Sequence, residues 1–180
     1  MASLGPLSPS SGTNVSFGGT AWASPGNILA SDDLRASIVT DQTITSDYLV
    51  ASNFSGFSDL PPNIHIDGIV VSVERSVRAF GIGIPIDKSI RLFLSGSPIG
   101  DDIVTSFFSW TNTTDSIITY GSSTNLWGYA LTREIVTNST FGFGISVTGS
   151  DENNKEARVD HIQMTVHYTP LLYPFWNFTS

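Results

Sequence analysis

Apolar and polar residues alternate along most of this chain, and no window sustains helical spacing of apolar positions. The chain therefore predicts strands between turn signals rather than helices. Eight strands are expected: Leu34 to Val39, Asp47 to Phe54, Asn63 to Phe80, Ser89 to Ser95, Ile103 to Phe108, Ser116 to Tyr120, Thr140 to Gly149 and Glu156 to Thr169. Two of these carry internal detail. In NIHIDGIVVSVERSVRAF, Ile64 and Ile66 share a face, but after Asp67-Gly68 the apolar set becomes Ile69, Val71 and Val73, so a bulge or bend at Asp67-Gly68 is predicted. In the last strand Ile162, Met164, Val166 and Tyr168 oppose His161, Gln163, Thr165 and His167, the pattern of a strand buried on one face.

The segment TFGFGISV sharpens the question of what lies outside such a sheet. Phe141, Phe143, Ile145 and Val147 occupy its inner face, and Gly142 and Gly144 leave the other face nearly bare. The glycines either let another part of the same fold come close, facing an adjacent strand's crowded side chains, or leave a flat patch for contact with another subunit, which is the favoured reading. Eight antiparallel strands with long connections suit an all-β, two-sheet antiparallel sandwich of the jelly-roll kind better than a closed barrel.

Both ends break the pattern. Residues 1–19 are rich in Ser, Pro and Gly and are expected to form an N-terminal arm, leaving 20–169 as the sandwich domain. Residues 170–180 form a second arm that concentrates Leu171, Leu172, Tyr173, Phe175, Trp176 and Phe178 between and beyond Pro170 and Pro174. Both arms are expected to be held by their own domain or by a neighbouring subunit, and the six large side chains of the C-terminal one are the leading interface candidates.

Composition narrows the chemistry. At 180 residues the chain is long enough for one self-sufficient core, and its count of zero Cys removes disulfides and thiolate metal sites. A net charge of −8, from 8 Lys plus Arg against 16 Asp plus Glu, repels phosphate backbones and anionic lipid heads, so neither nucleic acid nor membrane is an expected partner. No basic, apolar leader opens the chain and no apolar run reaches a membrane span, so a soluble, unsecreted protein is expected.

No catalytic constellation emerges. The histidines His65, His161 and His167 lack a nucleophile-elbow motif, and His161 and His167, six residues apart, are about 20 Å from each other along a strand, too far to share an ion. FGIGIP and FGFGIS are sheet glycines with no helix following. The acidic pairs Asp32-Asp33, Asp101-Asp102 and Asp151-Glu152 could offer oxygens to a hard cation but lack the spacing of a calcium loop, and turn capping is the favoured reading. Among strand acids, Glu74 and Asp160 are expected near buried groups, with Arg75, Arg78 or Arg158 as partners for Asp160. Trp22, Trp110, Trp127 and Tyr129 could stack on sugars, although closing the ends of the sandwich is the commoner use of such residues.

The order of AWASPGNILASDD, NFSGFSDLPPNIHIDGIVVSVERSV, SIRLFLSG, Trp110, YGSSTNLWG, FGFGISV and ARVDHIQMTVHYT resembles β-sandwich virion structural proteins of tailed bacteriophages, over about Trp22 to Thr169. The resemblance implies a jelly-roll module without catalytic residues, and no enzyme activity, cofactor or metal is expected. Within that family the arms favour a capsid decoration or cement protein, bound to the major capsid protein and to copies of itself, in a virion assembled in the bacterial cytoplasm. The alternative is a tail-fibre or receptor-binding module that recognises a host surface glycan.

Overall fold

The computed structural model describes residues 1–78, 84–104, 109–152 and 154–171. Ten strands occur among them: β1 (Ala2–Leu7), β2 (Ser11–Val15), β3 (Ala36–Thr40), β4 (Tyr48–Ser52), β5 (Ile64–Arg78), β6 (Pro85–Leu94), β7 (Ser97–Ile99), β8 (Ser116–Gly121), β9 (Gly142–Gly149) and β10 (Lys155–Pro170). One sheet runs β1-β10-β5-β8, with β3 also on β10, and the other runs β2-β4-β9-β6-β7. Every pairing between these strands is antiparallel.

The pairings are nested. β3 lies on β10, β4 on β9, β5 on β8 and β6 on β7, so the chain behaves as one long hairpin folded over into two layers. This is the jelly-roll arrangement. Its tip is the turn at Ser95 and Gly96, both with positive φ (52° and 75°), the backbone that matches the twist of two tightly joined strands.

The predicted phases hold in both long strands. Asp67 is the extra residue in β5, because His167 pairs with Gly68 and Tyr168 with Ile66. A second bulge falls in β10, where Val159 and His161 have partners on β5 and Asp160 between them has none. It lets Ala157 and Val159 face inward together with Ile162, Met164 and Val166 despite the change from odd to even numbering.

Four inner side chains of β9, Phe141 just before the strand with Phe143, Ile145 and Val147, are at most 1 % exposed. Burial of four such side chains favours folding by about 6–12 kcal/mol before entropy is counted, while two strand glycines cost only about 0.5–1 kcal/mol each. The inner face therefore dictates that β9 is a strand.

Two expectations change. Residues 1–19 do not stand apart as an arm: β1 pairs with the C-terminal half of β10, β2 extends the second sheet along β4, and Leu4 and Leu7 pack on the core. Their gain comes largely from backbone hydrogen bonding to two open strand edges, which the side-chain composition of the segment does not register. The expected strand at Ile103 to Phe108 is absent at Ile103 and Val104, and residues 105–108 lie outside the described residues. The strand that borders β6 on the side away from β9 is β7, short and signalled only by Ser95-Gly96.

Candidate functional site

The glycine face of β9 points away from the core as expected, but it is not a bare patch. Both glycines are buried. The Phe93 ring lies across Gly144, such that a Cβ there would sit 2.3 Å from its Cε2, and a Cβ at Gly142 would sit 2.1 Å from the Ala51 carbonyl oxygen. Phe93 in turn meets Tyr48 edge-on at 4.9 Å between ring centroids, and Tyr48 meets Phe17 at 4.6 Å. The contact-patch reading of Gly142 and Gly144 is therefore corrected: the missing side chains make room for an aromatic layer of the same chain. A residue placed there strikes its own fold before it reaches a neighbour.

That layer is pinned by the N-terminal segment. Asp47 Oδ1 accepts the backbone N–H groups of Phe17 (2.8 Å) and Gly19 (3.0 Å), while the Asn14 amide exchanges hydrogen bonds with the Trp22 backbone at 3.0 and 2.9 Å.

Between the sheets lies a buried ion pair. Arg75 takes an inward position of β5 two residues after Val73, and its guanidinium meets Asp87 of β6 at 2.6 Å. Asp87, fully buried, also accepts from the Trp110 indole N–H at 2.7 Å and from the Tyr120 hydroxyl at 2.8 Å. Arg75 stacks over Trp110 at 4.4 Å, and burial, reinforced by the Asp87 charge, pushes the Tyr120 hydroxyl well above its ordinary pKa. Every member is satisfied within the cluster, which joins the two layers; Tyr120 also borders an open cleft, and Arg75 and Trp110 border a hollow of about 60 Å³. The cluster also corrects the expected partners of Asp160: Arg75 pairs with Asp87, whereas Arg78 and Arg158 pair with Glu156.

The aromatic candidates for sugar stacking are closed off. Trp22, Trp110 and Trp127 are at most 2 % exposed, and each indole N–H is spent inside the fold, on Asp47 O, Asp87 Oδ1 and Ile69 O. Tyr129 is half-buried. Open space lies beside them instead, in a cleft of about 490 Å³ whose polar lining includes Asp101, Asp102, Thr119, Ser122 and Asn125. Asp102 is already engaged, accepting from Ser89 Oγ (2.6 Å) and from the backbone N–H groups of Ile90 and Val104 (3.0 and 3.2 Å). Asn125 Oδ1 accepts the Trp127 backbone N–H at 2.7 Å, and Asp101, Thr119, Ser122 and the Asn125 amide nitrogen carry the cleft's remaining polarity.

The histidines stay separate. His65 Nδ1 meets Asp67 at 3.0 Å, and His161 Nε2 meets Ser8 Oγ at 2.8 Å. A serine hydroxyl on an imidazole nitrogen is the first contact of a nucleophilic site, and sequence reading missed it because Ser8 lies on a segment expected to be an arm. Among the described residues no carboxylate orients the other nitrogen of His161 within 4 Å, and the adjoining hollow measures about 20 Å³.

The acidic pairs divide. Asp32 caps its own turn through the Leu34 N–H (3.0 Å), while Asp33 converges with Asp115 and Asp160 around Arg35. At the far end Leu171, the last described residue, is 56 % exposed and donates its N–H to Asn63 O at 2.9 Å. The other candidates of the C-terminal run, Leu172, Tyr173, Phe175, Trp176 and Phe178, lie outside the described residues.

Comparison with known protein families, with curated proteins and with solved structures finds no match to this chain. Nothing in those comparisons links it to a phage virion.

Proposed function

We propose that the chain is a non-enzymatic structural protein of a tailed-phage virion, a decoration or cement protein that binds the major capsid protein and copies of itself. The observation that carries this reading is the exit of β10: Leu171 emerges 56 % exposed at the head of the most apolar run in the sequence. Supporting it are a jelly-roll body that completes its own core and an interior ion pair that joins its two layers. The resemblance of the Asn53 to Val73, Asn125 to Gly128 and Val159 to Thr169 segments adds to it. With residues 1–19 absorbed into the sheets, the grip falls to the C-terminal segment, which gains avidity when many copies each add a small contact across a shell.

Deleting residues 171–180 tests this. The truncated chain is expected to keep its circular dichroism spectrum and melting temperature but to stop co-sedimenting with empty capsids, onto which the full chain sediments. A truncation that unfolds the body, or that binds shells as well as the full chain, sinks the reading.

The cleft beside Asp101 and Asn125 favours a second reading, a tail-fibre or receptor-binding module for a host surface glycan. Its polar lining suits sugar hydroxyls, although the buried tryptophans supply no stacking platform. Binding on a glycan array that is lost in Asn125→Ala would support it, and a blank array would remove it.

A further inference from the structure

Three carboxylates from distant parts of the chain meet at one end of the first sheet. Asp33 stands in the loop before β3 with φ of 66°, Asp115 immediately precedes β8, and Asp160 is the bulged residue of β10. One oxygen from each lies within 4.8 Å of the others. Two oxygens held on one Ca²⁺ at about 2.4 Å can be separated by at most about 4.8 Å, so the spread is one a single ion can span.

The charges in this cluster do not balance. Arg35 binds Asp33 at 2.6 Å and Asp115 through both Nε and Nη2, but among the described residues no cation comes within 4 Å of Asp160. Three carboxylates against one guanidinium leave two negative charges, and Glu74 adds to the field on Asp160. Asp160 is also the most deeply placed of the three, at 1 % exposure. Its Oδ2 receives only the Asp33 N–H, at 3.4 Å, and its Oδ1 has no hydrogen-bond partner. A buried carboxylate oxygen without a donor is costly, so it marks a place where something positive belongs.

From this geometry we infer that Asp33, Asp115 and Asp160 form a Ca²⁺ site, with Asp160 as the anchoring ligand. Arg35 acts from outside the ion, holding Asp33 and Asp115 in orientation. The bulge in β10 serves the site directly, since it turns Asp160 toward the cluster without moving Ile162 and Met164 from the core. Asp33, with 85 % of its side chain exposed, forms the open side through which water completes the six to eight oxygens Ca²⁺ takes. With three protein carboxylates and an adjacent guanidinium, affinity is expected in the range of about 0.1–1 mM, that of weak structural modules. The bound ion would tie the loop before β3 to β8 and β10. This inference does not depend on the proposed virion role.

The full chain, stripped with EDTA, should be titrated with CaCl₂ by isothermal titration calorimetry at pH 7.5, with melting temperature followed in parallel. One Ca²⁺ per chain and a higher melting temperature are expected. Asp160→Asn should weaken binding at least about tenfold, and Asp33→Asn by a smaller factor while remaining folded by circular dichroism. A double variant at the separate acidic loop, Asp151→Asn with Glu152→Gln, should bind as the wild type does. Absence of uptake by the wild type at 10-fold above the expected range overturns the site, as does uptake unchanged in both Asp33→Asn and Asp160→Asn or lost in the loop variant. If Asp160→Asn fails to fold, Asp33→Asn and the loop variant still decide the matter.

Discussion

Arg75 and Arg35 each gather aspartates, and the two gatherings differ in how fully their charges are met. Around Arg75 a single carboxylate, Asp87, takes the guanidinium, an indole N–H and a phenol, all within 2.8 Å, between the two sheets. Around Arg35 three carboxylates share one guanidinium at the rim, and the deepest of them has an oxygen with nothing to accept. The first arrangement is complete and rigid, and it asks nothing of the solvent. The second is short of positive charge, and a group in that condition responds to ions and protons. The same two residue types thus give a staple in one place and a receptor in the other, decided by the number of donors that the surrounding strands supply.

The staple should be the harder to remove. Asp87→Asn leaves Arg75 buried without a counter-charge and is expected to destabilise the fold by about 3–5 kcal/mol, read from urea unfolding. Trp110→Phe withdraws one donor from Asp87 and should cost about 1.5–3 kcal/mol in the same assay. If both losses come out below about 1 kcal/mol, the interior cluster is not what joins the sheets.

The rim should respond with the opposite sign. Arg35 holds the Asp115 carboxyl below its usual range, so that group contributes stability above pH of about 3.9, lost as the pH falls through its lowered native value. Burial pushes the Asp160 carboxyl up, so its contribution is fully present below about pH 3.9 and lost as the pH rises through the raised native value. In EDTA at pH 7, Asp160→Asn is therefore expected to stabilise the protein, by about 1 kcal/mol, and the advantage should vanish below about pH 3.9. Loss of stability at pH 7 would show that the Asp160 charge is already met. The smallest effect belongs to Asp33→Asn, whose exposed side chain should change stability in EDTA by no more than about 0.5 kcal/mol even though it weakens Ca²⁺ binding.

Period-two alternation was enough to find the long strands β5, β9 and β10, because a buried face of Ile, Val, Phe and Met has only one way to be satisfied in a sheet. Even the bulge at Asp67 was legible, since a slip of phase must be absorbed somewhere. The bulge at Asp160 left the same kind of mark, the step from Val159 to Ile162, and it could have been read from the sequence. β1 and β2 were not legible, because residues 2–15 hold few large apolar side chains and are fixed by open backbone edges of β10 and β4. The choice between the two readings of Gly144 was not legible for a related reason: alternation fixes which way a residue points, but not that Phe93 from a neighbouring strand lies across it.

The sequence by itself determined an all-β body, the inward faces of its principal strands, and a surface poor in charge and free of thiols, because these follow from local side-chain periodicity and composition. Only the tertiary structure decided which charges meet. Arg35 and Asp115 are 80 positions apart and Asp33 and Asp160 are 127, and strand pairing brings them within a few ångströms. Whether a carboxylate finds enough donors is a property of that meeting, and no single stretch of chain carries it.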